Sequence, residues 1–128
     1  MQLFKNFCDY TLDKNGVLEK FELKYPDNYN FGYDVVDEMA KCAPNDIAVQ
    51  WTNVHNERKT FTFSDIATLS NKAANALRNN GVKKGDKVLV ILKRNYEYWY
   101  IVPALHKPFF VFFMLTGVGG AANKWIAL

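Results

Sequence analysis

The sequence predicts an α/β fold, with an antiparallel hairpin followed by the start of a helix-flanked sheet, and three observations support this. Residues 46–63 hold two short β-type segments on either side of a polar turn. An amphipathic stretch over residues 64–81 follows, and then an apolar run over residues 87–93. The order strand, helix, strand, helix is typical of an α/β domain, and two or three strands make only an incomplete parallel sheet.

The first 45 residues predict little regular structure apart from one helix. Residues 1–32 mix Asn, Asp, Lys and aromatic residues without a period, so we expect an N-terminal extension with one short helix. Residues 33–45 predict a helix that starts among acidic side chains and is stopped by Pro44. Its apolar face consists of Val35, Val36, Met39 and Ala40.

The predicted hairpin and the helix after it follow from alternation and then from helical spacing. Ile47, Val49 and Trp51 share one face of the first strand, and "TFTF" over residues 60–63 returns as the second strand. Ser64 is expected to cap the next helix, with Asp65 in its first turn. The predicted apolar stripe of this helix consists of Ile66, Leu69, Ala73, Ala76 and Leu77. Gly81 is expected to close the helix in the left-handed conformation.

The remaining elements follow a glycine-containing turn. Asp86 is expected to hydrogen-bond the turn over residues 82–86. The run over residues 87–93 predicts a fully buried strand. Asn95 is expected to cap a helix over residues 96–107, with Pro103 kinking it. His106 lies near the end of this helix, where the helix dipole favours a cation.

Composition excludes several functional classes. The chain has 128 residues, 49% of them hydrophobic, which is enough for one domain with a core and argues against disorder. The net charge of +3 is too small to indicate nucleic-acid binding. Cys8 and Cys42 form no C-x-x-C, and His55 and His106 are scattered, so we expect free thiols in a reducing compartment and no metal site. The N-terminal residues lack the apolar region of a signal peptide.

Residues 23–107 resemble the N-terminal stretch of AMP-forming acyl-CoA synthetases, the adenylate-forming ligases, and most closely the medium-chain branch. The resemblance is carried by "TFSDI" over residues 62–66 and by the spacing N-x-x-A-x-x-L from Asn71 to Leu77. It continues through G-V-x-x-G-D-x-V from Gly81 to Val88 and the "NYE" that begins at Asn95. The resemblance implies that residues 33–107 are an incomplete N-terminal part of that family's large domain.

The same resemblance implies a two-step reaction for the full-length family. A carboxylate attacks the α-phosphate of Mg-ATP to give an acyl-adenylate and pyrophosphate, and the thiol of coenzyme A then displaces AMP. The family's phosphate loop, its adenine and magnesium motif, its ribose aspartate and its C-terminal lysine all lie downstream of the stretch that resembles this chain. We therefore assign no catalytic, cofactor-binding or metal residue here, and we expect no cofactor to be bound by this segment.

Residues 108–128 depart from the family pattern. This apolar, glycine-containing tail carries one charged residue, Lys124, and the likeness stops at Lys107. Our hypothesis is a truncated or frame-altered product. "GVGGAANK" over residues 117–124 fits G-x-G-x-x-A but has no second strand and acidic residue after it, so we interpret it as a flexible glycine turn. The apolar run over residues 108–122 is shorter than the about 18–20 residues that a membrane span needs. Membrane contact is therefore the less favoured interpretation of this run.

Two other patterns have a structural and a functional interpretation. Residues 11–22 match half of a calcium loop, but Thr11 stands where the first aspartate ligand is needed. We favour an Asn-Gly turn followed by a short polar helix. The lysines around Asp86, together with the aromatic residues within 96–100, resemble the pattern of proteins that bind single-stranded nucleic acids. We favour a solvated turn beside a helix buried by its aromatic face.

Two functional hypotheses remain, and we expect a cytoplasmic protein in either case. The first is a fragment of an ATP-dependent acyl-CoA synthetase in fatty acid metabolism that is inactive alone. Its partners in the full-length family are a carboxylic acid, ATP with Mg and coenzyme A, with no nucleic acid. The second is a non-catalytic membrane-associated or interaction protein built on this half-domain.

Overall fold

The computed structural model of the protein describes residues 3–93, 95–108, 111–115 and 126–127. A short 3-10 helix over Leu3–Asn6 comes first, and a π-helix over Phe31–Asp37 runs directly into the first α-helix. The strands are β1 (Cys8–Leu12), β2 (Leu18–Leu23), β3 (Ile47–Thr52), β4 (Arg58–Thr62), β5 (Lys87–Ile91), β6 (Val111–Leu115) and β7 (Ile126–Ala127). The α-helices are α1 (Glu38–Cys42), α2 (Phe63–Asn79) and α3 (Tyr98–His106).

The strands form three small sheets, which confirms the predicted α/β class. β1 pairs with β2 and β3 with β4, both antiparallel. β5 pairs with β6 in parallel, with Lys87 opposite Val111, and β7 adds antiparallel to β6. The predicted hairpin over residues 46–63 and the predicted parallel start are therefore both present. The glycine motif over residues 117–124 lies outside the described residues.

The N-terminal segment begins with the 3-10 helix over Leu3–Asn6, which agrees with the expected short helix. A β-hairpin follows it, so the expectation of an otherwise irregular stretch was wrong. All six residues of β2 are exposed, which removes the alternation that reveals a half-buried strand. The hairpin turn is closed by Asp13, whose Oδ1 accepts the backbone N–H groups of Asn15 (2.8 Å) and Val17 (2.9 Å). Gly16 has φ +79°, as the predicted Asn-Gly turn requires.

The structure agrees with the Asn-Gly turn that we favoured for residues 11–22, but not with the short helix expected after it. The carboxylate of Asp13 is bonded to backbone N–H groups, and a strand follows rather than the short polar helix that we favoured. Among the described residues no group of three or more His, Cys, Asp or Glu side chains could hold a metal ion.

The helix predicted over residues 33–45 is present as the π-helix and α1, and it begins two residues earlier. Asn30 is its N-cap, because the Asn30 Oδ1 accepts the backbone N–H groups of Gly32 (2.9 Å) and Tyr33 (3.3 Å). It ends at Cys42, ahead of Pro44, as predicted. Of its predicted apolar face, Val36 is buried.

α2 is capped by Thr62, so the prediction of Ser64 as the cap was wrong. The Thr62 Oγ1 accepts the N–H of Asp65 at 3.2 Å, and an Asp65 carboxylate oxygen accepts the N–H of Thr62 at 2.9 Å. This reciprocal pair is a capping box. The strand β4 ends at Thr62, and α2 begins at the next residue. The cap therefore lies two residues before Ser64, the predicted cap.

The buried stripe of α2 is also rotated from the predicted one. Ile66, Ala67, Ser70 and Ala74 are buried, whereas Ala76 is exposed. Ser70 was not in the predicted stripe, yet it is completely buried. Its Oγ donates to the Ala67 carbonyl oxygen at 2.9 Å, which satisfies the donor inside the helix.

The capping box gives a prediction that separates the two candidate caps. Thr62→Ala removes the side-chain acceptor at the helix start, and we expect it to lower the free energy of unfolding by about 1 kcal/mol. Ser64→Ala should change it by less than about 0.5 kcal/mol, because it is an exposed substitution away from the cap. Urea unfolding of the two variants measures the difference. An equal effect of both substitutions would contradict the assignment of Thr62.

The turn before β5 forms as predicted, but β5 itself is less buried than expected. Gly81 has φ +86° and closes α2, and the Asp86 Oδ2 accepts the N–H of Lys83 at 2.8 Å. In β5 only Val90 is buried, and Ile91 is 67% exposed. The prediction of a fully buried strand was therefore wrong. Val90 packs with Leu105 of α3, and within the described residues the opposite face of β5 is largely open.

Candidate functional site

A lysine ammonium group is buried where the π-helix, α2 and the end of α3 meet. The Lys107 side chain is 1% exposed. Its Nζ donates to the Asp37 Oδ1 at 2.6 Å, to the Ser70 Oγ at 3.0 Å and to the Asn71 Oδ1 at 2.7 Å. An ammonium group has three N–H donors, so this group is fully hydrogen-bonded. We call Lys107, Asp37, Ser70 and Asn71 the lysine cluster.

The secondary structure explains how these four side chains meet. Asp37 is the last residue of the π-helix, Ser70 and Asn71 lie midway along α2, and Lys107 directly follows α3. The Asp37 carboxylate balances the buried charge, and two neutral oxygens complete its hydrogen bonding. The cluster therefore ties the residue that follows α3 to the π-helix and to α2.

A second set of contacts holds the start of the π-helix against the end of α3. The Asn30 Nδ2 donates to the carbonyl oxygen of His106 at 2.7 Å, and the Asn30 N–H donates to the Asp34 carboxylate at 2.6 Å. Gly32 is buried against Lys107 and Pro103, and an added Cβ would lie 2.7 Å from the Lys107 Cγ and 2.8 Å from the Pro103 carbonyl oxygen. Only glycine fits this approach.

His106 is partly buried at the end of α3. Burial lowers the pKa of its imidazole below the ordinary value of 6.5. Its ring lies 5.7 Å from the Phe31 ring, which covers it from the π-helix side. The expectation that the helix dipole would favour a charged histidine was wrong, because desolvation opposes the charge here.

The lowered pKa of His106 predicts a pH dependence of stability. In the unfolded chain the imidazole of His106 binds a proton near pH 6.5, whereas in the folded chain it binds one only at lower pH. The contribution of His106 to the free energy of unfolding is therefore complete above pH 6.5 and is lost as the pH falls below that value. His106→Gln should flatten this slope. Free energies of unfolding measured at pH 7.5 and 5.5 for both proteins check the prediction, and equal slopes would contradict it.

Tyr96, which lies just ahead of α3, packs onto the β3–β4 hairpin. The Tyr96 ring is 5.4 Å from the Trp51 ring and 5.5 Å from the Phe61 ring. The Lys59 Nζ lies 3.9 Å from the Tyr96 ring centroid, a cation–π contact. Tyr96 is therefore committed to protein contacts, which favours the structural interpretation of this aromatic stretch over a surface for stacking bases.

An apolar cavity of about 310 Å³ lies between the π-helix, the β3–β4 hairpin and α3. Its walls include Val36 and Ile66 from the core, and its rim includes Phe31 and Trp99, which are 40% and 48% exposed. The described lining residues are apolar or aromatic, and Tyr98 brings a hydroxyl group among them. Such a cavity can exclude water from an apolar group.

We assigned no catalytic, cofactor-binding or metal residues from the sequence, and the lysine cluster joins the π-helix, α2 and the end of α3 by hydrogen bonds. Sequence reasoning placed Lys107 at a helix end and missed its partners. The signal was a serine inside an otherwise apolar helix stripe together with a lysine after an apolar helix. Over the described ranges, no helix is both long enough and apolar enough to cross a membrane.

Comparison with known proteins gives a consistent result. The model of the "AMP-binding enzyme" family matches residues 36–110. The chain is 35% identical over 108 residues to "Acyl-coenzyme A synthetase ACSM4, mitochondrial" of Rattus norvegicus, covering 80% of this chain and 19% of that protein. It is 34% identical over 101 residues to the human "Acyl-coenzyme A synthetase ACSM3, mitochondrial", covering 74% and 17%. The chain thus spans about one fifth of the length of these relatives.

Solved structures share the fold. A fatty acid AMP ligase from Legionella pneumophila superimposes with a TM-score of 0.62 at 20% identity, covering 66% of this chain and 15% of that one. NpsA of Klebsiella oxytoca, in complex with 3-hydroxyanthranilyl-AMSN, superimposes with a TM-score of 0.60 at 24% identity, covering 70% and 17%. The described residues therefore have the fold of the N-terminal region of adenylate-forming ligases.

Proposed function

This chain belongs to the AMP-binding enzyme family, and we propose that it serves as the N-terminal part of an ATP-dependent acyl-CoA synthetase. The observation that carries the proposal is the family match over residues 36–110, joined to 35% identity with a mammalian acyl-coenzyme A synthetase. The proposed overall reaction converts a carboxylate, ATP and coenzyme A into acyl-CoA, AMP and pyrophosphate through an acyl-adenylate.

The lysine cluster does not fit a site for the phosphates of ATP. The buried cation, Lys107, already donates its three N–H groups to Asp37, Ser70 and Asn71, so none is left for a phosphate. We therefore derive no reaction step through these residues. Their proposed role is to build one side of the large domain and to set the register of β5 and β6.

The substrate class and the location are part of the same proposal. A medium-chain or similar carboxylic acid is the proposed substrate. The names of the acyl-CoA synthetase relatives and of the fatty acid AMP ligase support an acyl group as the substrate class. The mammalian relatives are named as mitochondrial proteins, whereas our expectation for this chain is cytoplasmic. Fractionation of the source cells with an antibody to the chain tests that expectation.

The activity of these 128 residues alone is a direct test. We expect no carboxylate-dependent exchange between ATP and pyrophosphate, because the resemblance places the family's phosphate loop and its adenine and magnesium motif downstream of this segment. The rat relative, assayed with the same acids, is the positive control. Exchange above the enzyme-free blank would contradict the assignment of a purely structural role to this segment.

Residues 108–128 need a separate test. We propose that this tail does not follow the family pattern and arises from an altered reading frame. Resequencing the coding DNA through the codon for Pro108 and beyond Leu128 tests it. A single-base correction that restores the family pattern would support the proposal, and an unchanged sequence would contradict it.

A further inference from the structure

The outer edge of β2 is open for backbone pairing. Among the described residues β2 pairs only with β1, and all its side chains are exposed. The Lys24 N–H donates to the Phe7 carbonyl oxygen at 2.7 Å, in the same register as Cys8 opposite Leu23. Backbone groups alternate in direction along an antiparallel strand, so the groups of Lys24 and of every second residue before it point toward β1. The N–H and C=O of Phe21, which is three residues before Lys24, therefore point away from β1.

We propose that this edge docks β2 of a second copy of the chain, antiparallel and centred on Phe21. Phe21 then faces Phe21 of the second copy, and the two residues exchange two N–H···O=C hydrogen bonds. Lys20 lies opposite Glu22 of the second copy, and Glu22 lies opposite its Lys20. These two flanking pairs are non-hydrogen-bonded pairs of the new antiparallel ladder. Side chains that face each other lie closest in pairs of this kind. Two contacts between opposite charges therefore form.

Charge selects this register from its neighbours. A pairing centred on Lys20 would place Lys20 opposite Lys20, and one centred on Glu22 would place Glu22 opposite Glu22, both of which are unfavourable. A pairing centred on Leu23 would bring Pro26, which has no N–H, into the ladder opposite Lys20. Within one chain the Lys20 Nζ and Glu22 Oε2 already lie 3.5 Å apart, so the four charges alternate around the two-fold axis.

The contact is small, which determines how it must be measured. The β1–β2 ladder is irregular between Thr11 and Leu12, so the regular part of β2 is limited to residues 20–23. So short an edge gives a weak, transient association. A covalent trap at the two-fold axis detects such an association where a simple molecular-mass measurement would not.

The trap is Phe21→Cys in a Cys8→Ser/Cys42→Ser background of the 128-residue chain. On the axis the two Cα atoms would lie about 5.5 Å apart, within disulfide range. Leu23→Cys is the matched control, since it lies on the same face and is 61% exposed against 54% for Phe21. Its two copies would be about 13 Å apart along the strands. We expect severalfold more disulfide dimer for Phe21→Cys under mild oxidation, and equal yields would overturn the proposal.

Charge reversal tests the register. Lys20→Glu or Glu22→Lys should each lower the dimer yield of the Phe21→Cys protein severalfold, because like charges then face each other. The double exchange, and a mixture of the two single variants, should restore it. Lys72→Glu on the exposed side of α2 is the control for net charge. A double exchange that stays as low as the single variants would overturn the pairing about Phe21.

Discussion

Replacing Lys107 by methionine is expected to lower the free energy of unfolding by about 3–5 kcal/mol, the largest loss among the substitutions considered for this chain. Methionine fills a similar volume, so the loss arises from the charge and its hydrogen bonds. The Asp37 carboxylate, 21% exposed, loses its cation, and the Asn71 amide oxygen loses a donor. Urea unfolding followed by tryptophan fluorescence measures the change.

Two further variants make this prediction specific. Lys72→Met, on the exposed side of α2, should change the free energy of unfolding by less than about 0.5 kcal/mol. Lys107→Met combined with Asp37→Leu should recover part of the loss, because replacing a whole buried ion pair is far less harmful than removing one partner. A Lys107→Met protein as stable as the parent would show that the cluster does not hold these three elements together.

Gly32→Ala is expected to destabilise the chain by about 1–3 kcal/mol, the usual range for overpacking. The added Cβ would lie 2.8 Å from the Pro103 carbonyl oxygen, a backbone atom that cannot turn aside. It would also meet the Lys107 Cγ at 2.7 Å and so disturb the lysine cluster. The measurement is again the urea midpoint, and the two losses should not be additive when Gly32→Ala is combined with Lys107→Met.

The control for Gly32 is a glycine that is needed only for its backbone conformation. Gly16 has φ +79° and no atom within 4 Å of an added Cβ. Gly16→Asn should therefore have a small effect, because asparagine tolerates the left-handed region. If Gly16→Asn were as harmful as Gly32→Ala, close packing would not be the reason for glycine at position 32.

Local patterns in the sequence were enough to predict most of the described elements. Alternation predicted the β3–β4 hairpin, helical spacing predicted α2, and the glycine turn at Gly81 followed from the need for a positive φ. These signals depend on neighbours within a few residues. The same reasoning failed for β2, because a strand exposed on both faces carries no alternation to detect.

The lysine cluster could not be predicted, because its members are far apart in the sequence. Lys107 bonds Asp37 across 70 residues and Ser70 across 37 residues. A lysine after a helix is usually solvated, and only the packing of α3 against α2 and the π-helix buries this one. The rotated stripe of α2 has the same origin, since Ser70 is buried there as a partner of the ammonium group.

The most direct test of the account is acyl-CoA formation by a chimera. Residues 36–107 of this chain would replace the matching segment of the rat acyl-coenzyme A synthetase ACSM4, with the same chimera carrying Lys107→Met as its partner variant. If the segment is the structural N-terminal part of such an enzyme, the chimera should form acyl-CoA from acid, ATP and coenzyme A, and the variant should lose folded protein and product together. A folded chimera that forms no acyl-CoA would contradict the account.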